Sequence, residues 1–250
     1  MNYVIASDFH DDYKTLEQLL TTYNGSDVQI VLLGDYFDSR GSKGDPKEMA
    51  RVLTSLYKGE YELANEPIIL LGNHDDFMLG TVEQSSLDYQ TWMLNGGKRT
   101  LDRLGFHHRI TMEKAREFLL EEYPEVISLL SNAKLYYENS DLIALHAGLD
   151  WSLDDPRDTS MEDMLWLREE YLGDLPDNPM PNKLGKPIVT GHTPVQNYQD
   201  SSDIMILKAN DACQPMFLID GGSNSGYSNG KVNVLILDTK GKCVGIDYAR

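Results

Sequence analysis

Ile30-Val31-Leu32-Leu33-Gly34-Asp35-Tyr36-Phe37-Asp38 runs from four apolar residues straight into a glycine and a pair of carboxylates. The same design returns at Tyr3-Val4-Ile5-Ala6 before Asp8-Phe9-His10, and at Ile68-Ile69-Leu70-Leu71 before Gly72-Asn73-His74-Asp75. It returns again at Leu142-Ile143-Ala144-Leu145 before His146-Ala147-Gly148, and at Pro187-Ile188-Val189-Thr190 before Gly191-His192-Thr193. Short continuous apolar runs suit strands buried on both faces. Polar groups placed where such strands surface are how an α/β scaffold gathers a site from distant parts of a chain. Every cluster offers Asp, Asn or His, donors that first-row divalent cations accept. The pattern reads as a two-metal hydrolase centre.

Between these runs the periodicity changes to helical. Leu16, Leu19, Leu20 and Tyr23 share one face after the first strand, and Asn24-Gly25 closes that helix. Pro46 opens the next, where its missing N–H costs nothing, and Met49, Val52, Leu53 and Leu56 mark the buried side. The first 75 residues are therefore a βαβαβ unit with parallel strands and right-handed crossovers. Residues 77–131 read as a helical insert, interrupted by Gly96-Gly97, that covers one rim of the site. Strands are expected over 135–138, 142–145, 188–190, 204–207, 216–219, 232–237 and 244–247. One short helix, over about 161–171, lies between them. The expected fold is α/β, two packed β-sheets flanked by helices in one domain over 1–250.

With 250 residues the chain can bury a substantial core. Its net charge of −18, from 40 acidic and 22 basic residues, argues against a nucleic-acid partner. No apolar run approaches the roughly 18 residues of a membrane span, and no basic segment leads into an apolar one at the start, so a cytoplasmic protein is expected. Cys213 and Cys243 fit no metal or redox spacing and read as reduced thiols.

Taken singly, each cluster has a plain structural use. Asp8 and His10 could serve a helix start near Asp12, Asp38 could be a turn residue, and a lone His146 or His192 could be a hydrogen-bonded core histidine. His107 and His108 follow no strand and are assigned to the surface. Chemistry favours Asp35 as a bridge, since a carboxylate has two oxygens and Gly34 lets the chain turn sharply before it. Asp38 could orient an imidazole.

Together the clusters resemble the calcineurin-like metallophosphoesterases, in particular the phosphoprotein phosphatase branch that includes bacterial and phage serine/threonine phosphatases. That branch reads Gly-Asp-x-His-Gly, Gly-Asp-x-x-Asp-Arg-Gly, Gly-Asn-His-Glu, a His-Ala-Gly segment and Gly-His-Thr in this order. Trp92-Met93-Leu94-Asn95-Gly96-Gly97 with Thr100-Leu101, Leu165-Trp166-Leu167-Arg168-Glu169, and Ile219-Asp220-Gly221-Gly222 extend the resemblance over nearly the whole chain. It implies a first divalent cation on Asp8, His10 and Asp35, and a second on Asp35, Asn73, His146 and His192, with manganese favoured and iron or zinc possible. It implies His74 as general acid oriented by Asp38, and Arg40 and Arg168 as the phosphate grip. The chain departs from the pattern in three places. Ser39 is inserted before Arg40, Asp11 stands for a glycine, and Asp75 stands for a glutamate. Gly191-His192-Thr193-Pro194 also lacks the second histidine of the nuclease and cyclic-nucleotide branches.

The resemblance implies a metal-dependent phosphomonoester hydrolase acting on a phosphorylated protein. A hydrolase of dinucleoside polyphosphates or other small phosphorylated compounds is the enzymatic rival. A non-catalytic binding module that retains the fold is the rival from another class, disfavoured because all six ligand positions are filled.

Overall fold

The computed structural model describes residues 1–41 and 43–247. The chain opens with β1 (Asn2–Ala6), α1 (Tyr13–Thr22), β2 (Val28–Leu32), α2 (Pro46–Tyr57) and β3 (Ile68–Ile69). Helices α3 (Asn73–Val82), α4 (Ser86–Leu94), α5 (Gly97–Leu104), α6 (Met112–Glu122) and α7 (Pro124–Ser131) follow. Next come β4 (Tyr136–Glu138), β5 (Ile143–Leu145), α8 (Met161–Trp166), α9 (Glu169–Leu172), β6 (Gly173–Asp174) and β7 (Asn178–Pro179). The chain ends with β8 (Ile188–Thr190), β9 (Met205–Leu207), β10 (Met216–Leu218), β11 (Val234–Leu237) and β12 (Cys243–Asp247).

Two five-stranded sheets result, in the orders β12-β11-β1-β2-β3 and β4-β5-β8-β10-β9. The strands β1, β2 and β3 are parallel, with Ala6 opposite Leu32 and Leu32 opposite Ile69, as a βαβαβ unit requires. In the second sheet β5, β8 and β10 are parallel, and β4 and β9 are antiparallel edges. Alternation along each strand divides the side chains between two cores. Tyr3 and Ile5 of β1 meet Ala144, Val189 and Phe217 of the second sheet, whereas Val4 and Ala6 pack with Leu16, Leu20, Met49 and Leu53 of α1 and α2. The outer face of the second sheet, with Ile143, Leu145 and Leu218, is covered by Met164, Tyr171 and Leu172. The architecture is the expected pair of sheets flanked by helices.

The expected helical segment is there but is cut into five pieces, and its first helix starts at Asn73, four residues before Phe77. Local chemistry makes the cuts. Ser85 and Thr111 accept backbone N–H groups as N-caps of α4 and α6, and Gly105 ends α5 in the left-handed conformation. Trp92, Leu101, Leu104, Ala115 and Leu119 join the core on the helix side of the first sheet, so these helices are packed into the fold. The single helix expected over 161–171 is broken at Leu167 and Arg168, and the two-residue strands β6 and β7 are too short to leave a periodic signal in the sequence. Among the described residues no helix is long and apolar enough to cross a membrane.

One ion-pair cluster in the second sheet carries a stability prediction. Glu138 on β4 receives Arg157 through Nε and Nη2 at 2.8 and 2.9 Å, and Lys186 at 2.7 Å. The Arg157 hydrogen bonds, opposed by burial and helped by Lys186, hold its carboxyl down at about 2 from an ordinary 4.5. Because the folded value is the lower one, this stabilisation is present above about pH 4.5 and fades as pH falls toward 2. Glu138→Gln should cost about 1–2 kcal/mol at pH 7, after allowance for the partly exposed partners. Urea titrations at pH 7 and pH 3 check this, and equal losses at both would refute it.

Candidate metal centre

The parallel strands deliver the clusters to one end of the two sheets. Asp8 and His10 follow β1, Asp35 and Asp38 follow β2, and Asn73 and His74 follow β3. His146 follows β5 and His192 follows β8. Loops this close need glycine: a Cβ on Gly34 would meet the backbone of Gly72, and one on Gly72 would meet the Asp35 carboxylate. The non-glycine residues are forced as well. Asp8, His10, Asp35, Asp38 and His192 all take positive φ, between 42° and 69°. Such conformations are unfavourable for residues with a Cβ and cluster at functional sites. The side-chain alternation of a straight strand therefore does not govern Asp8 and His10, because both lie beyond the end of β1.

Around Asp35 the donor atoms converge. His146 Nε2 lies 3.5 Å and His10 Nε2 3.8 Å from Asp35 Oδ2. Asn73 Oδ1 lies 3.0 Å from His146 Nε2 and 2.9 Å from His192 Nδ1. The far nitrogen of each ring is already committed: His10 Nδ1 to Phe37 O at 2.8 Å, His146 Nδ1 to Leu33 O at 2.9 Å, and His192 Nε2 to Trp166 O at 3.3 Å. A carbonyl accepts only from N–H, so Phe37 O sets the neutral His10 tautomer that turns the Nε2 lone pair to the centre; a cation beside Asn73 Oδ1 would require the matching tautomers of His146 and His192, which Leu33 O and Trp166 O are placed to hold. Burial lowers the pKa of His10 and His192, which keeps both rings neutral. Burial would raise Asp35, but protonated imidazoles around it, His146 and His74 foremost, would hold its carboxyl well below the usual carboxylate range, the place a divalent cation would take. An anionic oxygen ringed by imidazole lone pairs fits divalent cations.

Two groupings have the compactness of a single ion site, His10–Asp35–His74 and Asp35–His146–His192. Asp35 is common to both, as a bridge must be. Asp8 stands outside them. Its carboxylate accepts the His192 N–H through both oxygens, at 3.1 and 3.0 Å, and the Ser7 hydroxyl, which ties the loop after β1 to the loop after β8. His74 meets the spacing of a ligand, but its Nδ1 is held by Asp38 Oδ2 at 2.9 Å. Burial alone would lower His74, yet Asp35 and the hydrogen bond to Asp38 push it up to about 9, so the ring is an imidazolium at neutral pH.

The Asp38 carboxylate is itself gripped by the helical segment. Trp92 Nε1 donates to Oδ2 at 2.8 Å and Thr100 Oγ1 donates to Oδ1. Trp92 and Thr100 carry no role in the sequence reading, although the segment containing them supports the resemblance. Asp75 is a third residue whose function sequence alone does not show. Its buried carboxylate accepts the N–H groups of Asp35, Tyr36 and Gly72 at 2.7, 3.1 and 3.0 Å, which locks the loop after β2 to the start of α3.

Arg40 and Arg168 both line a cleft of about 220 Å³ that exposes His10, Asp35, Asn73, His74 and His192. Arg168 occupies the break between α8 and α9, where Nη1 donates to His192 O at 2.9 Å and Thr193 Oγ1 at 3.0 Å. Two of the departures from the family pattern prove to be partners: Asp11 Oδ2 accepts the N–H of the inserted Ser39 at 3.0 Å. His107 and His108 are exposed and are not part of the cleft lining.

The calcineurin-like phosphoesterase profile matches residues 1–220. No curated protein matches the chain in sequence. Among solved structures, a protein assigned as a diadenosine tetraphosphatase superposes with a TM-score of 0.57 at 15% identity, over 100% of this chain and 95% of that one. A point mutant of a cold-active protein tyrosine phosphatase gives 0.52 at 15% identity, covering 100% and 80%. A metallophosphoesterase from Sphaerobacter thermophilus gives 0.50 at 17% identity, covering 100% and 88%. At these identities the likeness is one of fold.

Proposed function

The chain belongs to the calcineurin-like phosphoesterase family, metal-dependent hydrolases, and from that premise we propose that it is a phosphomonoesterase of the serine/threonine protein phosphatase type. The whole chain then serves as one catalytic domain, with the helices over 77–131 as its insert. The observation that carries the reading is the pairing of two kinds of group in one cleft. A carboxylate surrounded by imidazole nitrogens lies beside the Asp38-bonded His74, and two arginines line the same space.

Asp8, His10 and Asp35 would hold one cation, and Asp35, Asn73, His146 and His192 the other, with manganese favoured. When bound, such a pair supplies Lewis acidity, lowering the pKa of water and neutralising phosphoryl charge. The residues of the chain do the rest. Arg168, braced by the His192 carbonyl, and Arg40 would align phosphate oxygens through their planar forks. His74, with Nδ1–H committed to Asp38, has Nε2–H free to protonate the departing serine or threonine oxygen.

The cleft of about 220 Å³ is smaller than the roughly 300–1,000 Å³ of pockets that enclose a drug-sized ligand, so it takes a phosphate group and leaves the rest of a substrate outside. The manganese-loaded protein should hydrolyse phosphoserine or phosphothreonine peptides faster than diadenosine tetraphosphate or cyclic nucleotides. A preference for the dinucleotide in that panel would replace this reading with the rival.

Metal content is a separate prediction. After manganese reconstitution, elemental analysis should approach two equivalents per chain, and dialysis against a chelator should remove activity that manganese restores. Absence of bound metal in the wild type would end the proposal.

A further inference from the structure

Arg40 lies between β2 and α2 in a stretch without helix or strand, so the direction of its side chain depends on what holds its peptide. Both sides of that peptide are held from far away in sequence. Asn224 O accepts the N–H groups of Arg40 and Gly41 at 2.8 and 3.0 Å. The guanidinium of Arg99 on α5 donates to Arg40 O at 3.1 Å and to Gly41 O at 2.5 Å. One helical turn further on, Arg103 donates to Gly44 O. Ser39, just before Arg40, is fixed through its N–H to Asp11.

We infer that Arg99 and Arg103 are positioning residues that aim Arg40 at the cleft, an assignment that rests on Arg40 gripping phosphate as proposed above. Residues at i and i+4 share one face of a helix, so α5 presents both arginines to the same segment. The chain carries 40 acidic groups, yet the Arg99 fork is used on two main-chain carbonyls. α5 is a firm base, because Leu101 and Leu104 are buried in the core and Thr100 is bonded to Asp38. The same helix thus reaches both the carboxylate that orients His74 and the peptide that carries Arg40. The clamp also answers the inserted Ser39: an extra residue displaces Arg40 along the chain, and new contacts must set its direction.

The test uses the full manganese-loaded chain, a phosphopeptide substrate and inorganic phosphate as competitive inhibitor. Arg40→Ala, Arg99→Ala, Arg99→Lys and the Arg40→Ala/Arg99→Ala pair are compared, with thermal midpoints recorded for each. Misplacement of a binding group by about 1 Å can cost up to roughly 100-fold, so Arg99→Ala should raise KM and the phosphate inhibition constant roughly tenfold. Most of its effect should fall on these two constants rather than on kcat. Arg99→Lys should recover only part of the loss, since lysine is shorter and its point-like ammonium lacks the planar fork that matches both carbonyls. In the Arg40→Ala background, removing Arg99 should add almost nothing, because the two act as one unit. Additive effects, or a lowered thermal midpoint with KM and phosphate inhibition unchanged, would show a structural role and overturn the inference. An Arg40→Ala variant with wild-type KM and phosphate inhibition would instead remove the Arg40 assignment, and the positioning role with it.

Discussion

Asp35→Asn should reduce turnover by roughly 10³-fold or more while leaving the fold in place. Asp35 is the residue common to both compact donor groupings, and the imidazolium of His74 is among the groups that keep its carboxyl ionised. An amide of the same shape removes the negative charge and replaces one potential ligand oxygen with an NH₂ group. If Asp35 is shared between two cations, the pair would lose its common anion and at most one would be retained. The fold should tolerate the change. Asp35 Oδ1 accepts the His74 N–H at 2.9 Å, a bond the asparagine carbonyl can keep, and the new NH₂ would face His146 Nε2, a ready acceptor. Circular dichroism should match the wild type, and elemental analysis should fall from two manganese equivalents toward one. Near-normal activity at saturating manganese would show that the bridge lies elsewhere.

The position of the candidate site is legible in the sequence because strands buried on both faces stay apolar along their length, so the polar residue at each end stands out. That made Asp8, Asp35, Asn73, His146 and His192 visible, and the parallel β1-β2-β3 and β5-β8 pairings bring all five clusters to one end. What lay hidden was long-range and local at once. Trp92 and Thr100 reach Asp38 across 54 and 62 residues, and no periodicity encodes a contact of that range. Arg99 and Arg103 look like any solvated helix face until their carbonyl partners are known. Asp11 and Ser39 look like two separate departures, yet they form one hydrogen bond. The helix over 161–171 has continuous helical composition, but Arg168 leaves it with φ −128° and ψ −93° to bond the His192 carbonyl. A site contact there overrides propensity.

The second large effect separates the proton donor from the ligands. His74→Asn should lower the rate on a phosphoserine peptide by about 10²–10⁴, because an alkoxide is a strong base and leaves poorly without a proton. An aryl phosphate, whose phenolate is a much weaker base, should lose far less. The distinction follows from the geometry: Nδ1 is spent on Asp38, which leaves Nε2 as the one nitrogen able to donate into the cleft. The Asp35 charge and the Asp38 hydrogen bond outweigh burial and favour the protonated ring. His74 also has the spacing of a third ligand beside His10 and Asp35, so the variant discriminates two roles. A donor leaves manganese content unchanged and splits the two substrates, whereas a ligand lowers both rates equally and takes metal with it. Asp38→Asn should follow the donor pattern more mildly. It leaves the imidazole in place, and the asparagine carbonyl can still accept from Trp92 or from His74, but not with the charge that favours the imidazolium. If Asp38→Asn split the two substrates while His74→Asn did not, the proton would have to come from a group other than His74.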